Sequence, residues 1–339
     1  MTDRERRELR GPVKTVIWEW FDWDQEAGAV SEKPSRREEL TFSPQGHMLE
    51  NVSEYRDESV QRSTYVHDDA GRLRETKWRN SDGTEGRAEL KYDQHGEPIC
   101  NGANITYSYE KGRKVKTEVF EAKTPGVDRA FGFGDGPAMM TWTIGNAALA
   151  ATFYDELGRP NEIVLYDDEH MQISALVRTY DERGRVTSEE QQTISPRVFA
   201  RQRDTQGEAM PPNVAQLFAR IFSQDGSPMR MTFKYDDQDR VIERTHEMGL
   251  FGYDKTISFY NERGDVGRQQ TYSTHQGDIP VDEEGNILAP PPLPERLASE
   301  TELSYQYDIR GNWTHKKISA LHGAESRWES AERRSVTYY

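Results

Sequence analysis

The residues able to bind a metal or move a proton sit in short, glycine-closed phrases. His67 and His95 stand beside Asp68 and Asp93. A metal site would arise if such phrases stacked, because side chains one period apart would line up. Solvated turns explain the same residues, and no metal site is predicted. The other histidines are His47, His170, His246, His275, His315 and His322. Adjacent carboxylates occur at Asp68/Asp69, Asp167/Asp168 and Asp236/Asp237. Glycoside hydrolysis needs two carboxyls held at a set separation across a cleft, which adjacency along the chain does not supply. There is no Gly-x-Ser-x-Gly elbow and no His-Glu-x-x-His. Cys100, the single cysteine, follows Pro98-Ile99 in a strand-like context and reads as a small buried hydrophobe. One cysteine excludes an intrachain disulfide and cysteine-based zinc sites. The sequence thus predicts no catalytic residue and no cofactor.

Aromatic side chains are the remaining candidates for a site. In Ile17-Trp-Glu-Trp-Phe-Asp-Trp23 a period of two points Val16, Trp18 and Trp20 one way, and Ile17, Phe21 and Trp23 the other. A strand apolar on both faces is covered on both sides or presents an aromatic face. Stacking on sugar or peptide would use Trp18, Trp20, Trp23, Trp78 and Trp313. Packing within the strands is the competing use of the same rings.

These residues are carried by a repeated phrase. In Val177-Arg-Thr-Tyr-Asp-Glu-Arg-Gly-Arg-Val186, Asp181 can accept a hydrogen bond from the N–H two residues on, and Gly184 can take positive φ without a steric penalty. That combination predicts a short hairpin loop, a type I turn followed by a left-handed residue. Other copies pair Asp68 with Gly71, Asp93 with Gly96, Asp155 with Gly158 and Asp308 with Gly311. Two copies are degenerate: Asp239 stands where Asp236 expects its glycine, and Asn261 precedes Gly264. An eighth, Phe42-Ser43 to Gly46, has serine for aspartate, and Tyr107-Ser-Tyr-Glu-Lys-Gly-Arg113 reads as a further copy. Gly46, Gly71 and Gly96 are 25 residues apart, the length of two strands and two connections, so each unit is one β-hairpin. A lone hairpin is unstable, and stacked hairpins share a core. The expected fold is all-β: repeated antiparallel hairpins in a long twisted or curled sheet, a solenoid or shell, as a single domain over 1–339.

Three stretches break the period. Residues 123–137 are a glycine-rich loop without the Lys-Ser/Thr of a phosphate cradle. An insertion at about 195–223 holds the one expected helix, 211–222, with Asn213 as its cap and Val214, Leu217, Phe218 and Ile221 as an apolar stripe. Residues 288–295 form a proline-rich crossing.

The chain has 339 residues and a net charge of −15. Its hydrophobic share of 34% lies below the usual about 45–50%, glycine included. Aromatics at 10% argue against disorder and for strands with one wet face. The acidity disfavours nucleic acid and anionic membranes as partners; it suits solubility, or a basic protein partner. The first ten residues lack the apolar core of a signal peptide and no stretch approaches a membrane span, so a cytoplasmic location without membrane insertion is expected. Export that needs no cleavable signal would leave no such trace.

Iterated Tyr-Asp-x-x-Gly-Arg at this spacing resembles the RHS/YD-repeat family, from about residue 9 onward. The closing Tyr307-Asp-Ile-Arg-Gly-Asn-Trp-Thr314 and Arg333-Arg-Ser-Val-Thr-Tyr-Tyr339, with the opening Leu9-Arg-Gly-Pro-Val-Lys-Thr-Val16, look like the ends of short stand-alone bacterial members. The resemblance implies a spiralling β-hairpin sheet and, as a broad class, protein or carbohydrate binding. The DPxG-type core motif of large toxin-enclosing members is missing, so toxin delivery does not carry over. The expected function is a non-enzymatic scaffold holding a protein partner, in one version a basic one, as an accessory or immunity-type protein would. Carbohydrate binding through exposed aromatics, and a hydrolase using acidic residues in the sheet groove, are the alternatives.

Overall fold

The computed structural model describes residues 2–24, 26–100, 103–121, 130–131, 142–143, 149–167, 169–194, 229–248, 252–274, 294–322 and 326–339. The expected helix at 211–222, the glycine-rich loop between 122 and 129 and from 132 to 137, and the proline-rich crossing up to residue 293 lie outside the described residues. Apart from the four-residue helix Asp3–Arg6, every regular element described is a strand. The expectation of repeated antiparallel hairpins is met. The chain, read from sequence as one domain, divides into two compact units, 1–101 with 260–269 and 299–339, and 102–259 with 270–298.

In the first unit the C-terminal strand lies beside the N-terminal one. Val13–Phe21 is flanked by Ser326–Tyr338 on one side and Arg36–Phe42 on the other, both antiparallel. Trp313–His322 continues the sheet beyond Ser326–Tyr338. Beyond Arg36–Phe42 follow Met48–Tyr55, Val60–His67, Leu73–Asn80, Glu85–Tyr92 and Pro98–Cys100, each paired with the strand before it. The core is small: Leu9, Val13, Val16, Leu40 and Phe42 are buried, with Met48, Val336 and Tyr338 packed against them.

In the second unit Ala103–Glu110, Arg113–Glu121, Leu149–Tyr154, Pro160–Tyr166, Gln172–Tyr180, Val186–Ile194, Met229–Tyr235, Val241–Met248 and Tyr253–Tyr260 pair in sequence order. Leu149, Ala150 and Ala151 are buried in succession, as are Ile163, Val164 and Leu165. Consecutive burial means both faces of these strands are covered. This is a departure from the strict alternation expected of two-sided strands. Within this interior Arg178 and Glu189, directly opposed in register, form a buried ion pair with Nη2 2.6 Å from Oε1.

Turns occur at both ends of the strands. Positive φ recurs at Gly46, Glu58, Gly71, Gly83 and Gly96, steps of 12, 13, 12 and 13 residues that split the 25-residue period into two single-strand halves. Asp239 takes φ of 64°, in the glycine-equivalent position read from sequence. Two turns differ from the reading. At Glu110-Lys-Gly-Arg113 both central residues have positive φ and Glu110 pairs directly with Arg113, a two-residue loop of the I′ kind; without an aspartate the three-residue loop loses its internal acceptor. Asp167 to Met171 is a copy not recognised from sequence. His170 fills the left-handed position at φ 59°, and the Asp167 N–H donates to the Met171 carbonyl.

Candidate functional site

The turn aspartates are structural. Asp181 Oδ1 accepts from the N–H groups of Arg183 and Arg185, while Oδ2 accepts from Arg185 Nε at 2.7 Å. The same three bonds recur at Asp68 with Arg72, Asp155 with Arg159, and Asp236 with Arg240. Asp93 and Asp308 keep the two backbone bonds. At Asp308 the arginine is replaced by Asn312, and the Tyr338 hydroxyl donates to Oδ2. Gly71, Gly96, Gly158, Gly184, Gly264 and Gly311 have positive φ. The backbone N–H of Arg185, and then the Arg185 side chain, hold the Asp181 carboxyl below its usual range against opposing burial; Arg72 does the same for Asp68.

Three of these turn arginines, Arg72, Arg159 and Arg185, also grip the tyrosine of the next repeat. Arg159 stacks over Tyr180 at 4.2 Å and Arg185 over Tyr235 at 4.7 Å. The same tyrosines donate to the backbone just beyond that arginine: Tyr180 to the Pro160 carbonyl and Tyr235 to the Val186 carbonyl, both at 2.6 Å. Arg72 over Tyr92, whose hydroxyl donates to the Leu73 carbonyl, repeats the arrangement in the first unit. Tyr-Asp-x-x-Gly-Arg is therefore a two-part joint: Asp, Gly and Arg close one turn, and Arg with the next Tyr fastens it to its neighbour. The second half is invisible within a single copy of the phrase.

The five tryptophans proposed for ligand binding separate into three groups. Trp18 stacks on Trp20 at 4.6 Å and meets Trp313 edge-on at 5.5 Å. Arg334 lies against both Trp18 and Trp313, 3.9 and 3.5 Å from their ring centres, and burial pushes its guanidinium down to about 10. Trp18 Nε1 donates to Glu332, and Arg36 covers Trp20. Trp313 is buried. These three rings hold the sheet together, and their faces are used. Trp78 is exposed, and its ring covers Gly86 so closely that a Cβ there would collide with it. A large ring over a cross-strand glycine restores the packing that the glycine lacks.

Trp23 is different. It lies in a short hairpin, Trp23–Asp24 paired with Ala29–Val30, and lines a groove of about 500 Å³ wholly within the first unit. Val30 and Ala331 add apolar wall; Gln306, His315, Lys317 and Glu329 add polar groups. Lys317 pairs with Glu329 at 3.0 Å and Lys316 with Glu332 at 2.8 Å, so the groove carries both signs of charge in compensated pairs. Sequence periodicity marked Trp23 but not the strand that faces it, because Ser326–Tyr338 is some 300 residues away along the chain.

A second cluster joins Asp3, His47 and His67, whose ligand atoms all lie within 4.8 Å of one another. The sequence set His67 beside Asp68; the fold sets it against His47, with the rings stacked at 5.0 Å. Burial, and then the neighbouring His47, hold the His67 imidazole below its ordinary value, while Asp3 and Asp68 act the other way.

No family model matches the chain and no curated protein matches it. Among solved structures, it is similar to a porin-like protein from Bacteroides uniformis at 7% identity, covering 97% of this chain and 98% of that one, with a TM-score of 0.36. It is also similar to TcdB2-TccC3 without its hypervariable C-terminal region, at 11% identity and a TM-score of 0.25, covering 96% of this chain but only 17% of that one. At such TM-scores the likeness says nothing of what this chain binds. Among the described residues no helix is long and apolar enough to cross a membrane, which leaves strand-built membrane proteins unaddressed.

Proposed function

We propose that this chain is a non-enzymatic binding scaffold of the RHS/YD-repeat kind that holds a protein partner, and that the groove beside Trp23 receives an extended segment of that partner. The observation that carries this reading is the groove itself. One aromatic ring, a small apolar wall and paired charges at its margin are the makings of a peptide site, in which an apolar anchor supplies affinity and polar groups fix orientation. Carbohydrate binding is the weaker reading, because three of the five candidate rings, Trp18, Trp20 and Trp313, have faces occupied by one another or by Arg334 and Arg36. The net charge of −15 favours a basic partner, whose association would be accelerated at low salt.

The test is retention of a polypeptide from the producing cell's lysate by tagged wild-type protein and by Trp23→Ala and Ala331→Glu variants, at low and at moderate salt. A near-stoichiometric polypeptide retained by the wild type and released by both variants is the expected result. A polypeptide held equally by all three would move the site elsewhere. A blank, together with glycan-induced changes in tryptophan fluorescence, would replace the protein partner with a sugar.

A further inference from the structure

The N-terminal helix Asp3–Arg6 is fastened to the first hairpin turn by more than packing. The Arg4 N–H donates to the Gly46 carbonyl, and Met48 N–H donates to Asp3 Oδ2 at 2.8 Å. Thr2 and Glu5 form a capping box that fixes the helix start. These contacts aim the Asp3 carboxylate at the place where two turns of the first unit meet. His47 closes one turn, between Gly46 and Met48; His67 ends the strand Val60–His67, just before the next.

The His47 ring lies directly on Gly71, where a Cβ would come within 2.6 Å of ring atoms. His67 Nε2 is 3.8 Å from Asp3 Oδ2. Its other nitrogen, Nδ1, is buried without a hydrogen-bond partner. A buried ring nitrogen with no partner is costly unless something binds it, and it belongs to a residue whose ligand atom lies within 4.8 Å of those of His47 and Asp3.

We propose that Asp3, His47 and His67 bind a first-row divalent cation, with zinc as the type ion, which ties the N-terminal helix to two successive hairpin turns. Imidazole and carboxylate donors suit Zn²⁺, Cu²⁺, Ni²⁺ or Fe²⁺, whereas calcium and magnesium prefer all-oxygen sets. Bound at about 2.0–2.2 Å from each donor, the ion needs the three groups to close inward by about 1 Å, within the reach of side-chain rotation. Three protein ligands leave a position for water or an exogenous group. The site lies outside the Trp23 groove and does not depend on it.

Zinc binding to the full chain is measured by equilibrium dialysis and by titration calorimetry, with Asp3→Asn, His47→Asn and His67→Asn as variants and His170→Asn as a control. The expected result is one equivalent bound. Each of the three variants should weaken it by at least about 10-fold, the scale of loss seen even for outer partners of metal sites, and the control should match the wild type. Asp3→Asn can keep the bond from Met48 N–H, so its effect on zinc survives any folding defect in the histidine variants. No binding below about 100 µM free zinc, a limit corresponding to roughly 5.5 kcal/mol, would overturn the proposal. Stoichiometric binding undiminished in Asp3→Asn and His67→Asn would overturn it equally.

Discussion

Asp181 shows how much one side chain contributes when its acceptor sites are matched. It takes two backbone N–H groups and a guanidinium, and its carboxyl is held below the usual range, as is that of Asp68. A depressed carboxylate contributes stability that is fully present above the unfolded value near 4 and is lost as pH falls through the lower folded value. Thermal unfolding followed from pH 5 downward should therefore steepen below pH 4, and the Asp181→Asn variant should show a shallower acid loss. Equal acid slopes in the two proteins would contradict this. Tyr235→Phe tests the other half of the joint. It removes the hydroxyl bond to the Val186 carbonyl while keeping a ring under Arg185, and should cost about 0.5–1.5 kcal/mol in denaturant unfolding.

The hairpin was legible because its determinants are local. Aspartate, glycine and arginine within five residues specify the loop, and even Asp239 could be assigned its left-handed position. Recognition failed where another residue took the special conformation, as His170 does after Asp167, or where two such residues made a tighter turn, as Lys111 and Gly112 do. Pairs formed across strands were not legible, since they depend on register. Arg178 and Glu189 are unremarked charges in sequence, yet opposed and 2% and 1% exposed in the fold. Breaking a buried pair strands the remaining charge, so Glu189→Ala should destabilise the second unit by about 3–5 kcal/mol. A loss below about 1 kcal/mol, the scale of an exposed pair, would show that water reaches the guanidinium.

At the scale of the molecule, the sequence announced repeated antiparallel hairpins but not the adjacency of the first and last strands. That pairing brings Val13–Phe21 beside Ser326–Tyr338 and creates both the Trp18–Arg334–Trp313 cluster and the groove at Trp23. A candidate site built from opposite ends of the chain cannot be read from spacing. Tryptophans offered alike as stacking candidates therefore divide into packing and groove-lining rings only once the strands are ordered. Whether this groove holds a polypeptide is decided by photo-crosslinking. A light-activated side chain at Val30 reports on the groove, and one at Lys111, at the exposed tip of a hairpin in the second unit, serves as control. The expected result is one dominant crosslinked polypeptide from position 30, suppressed by Ala331→Glu, and none from position 111. Crosslinks of equal yield and identity from both positions, or none from position 30, would contradict it.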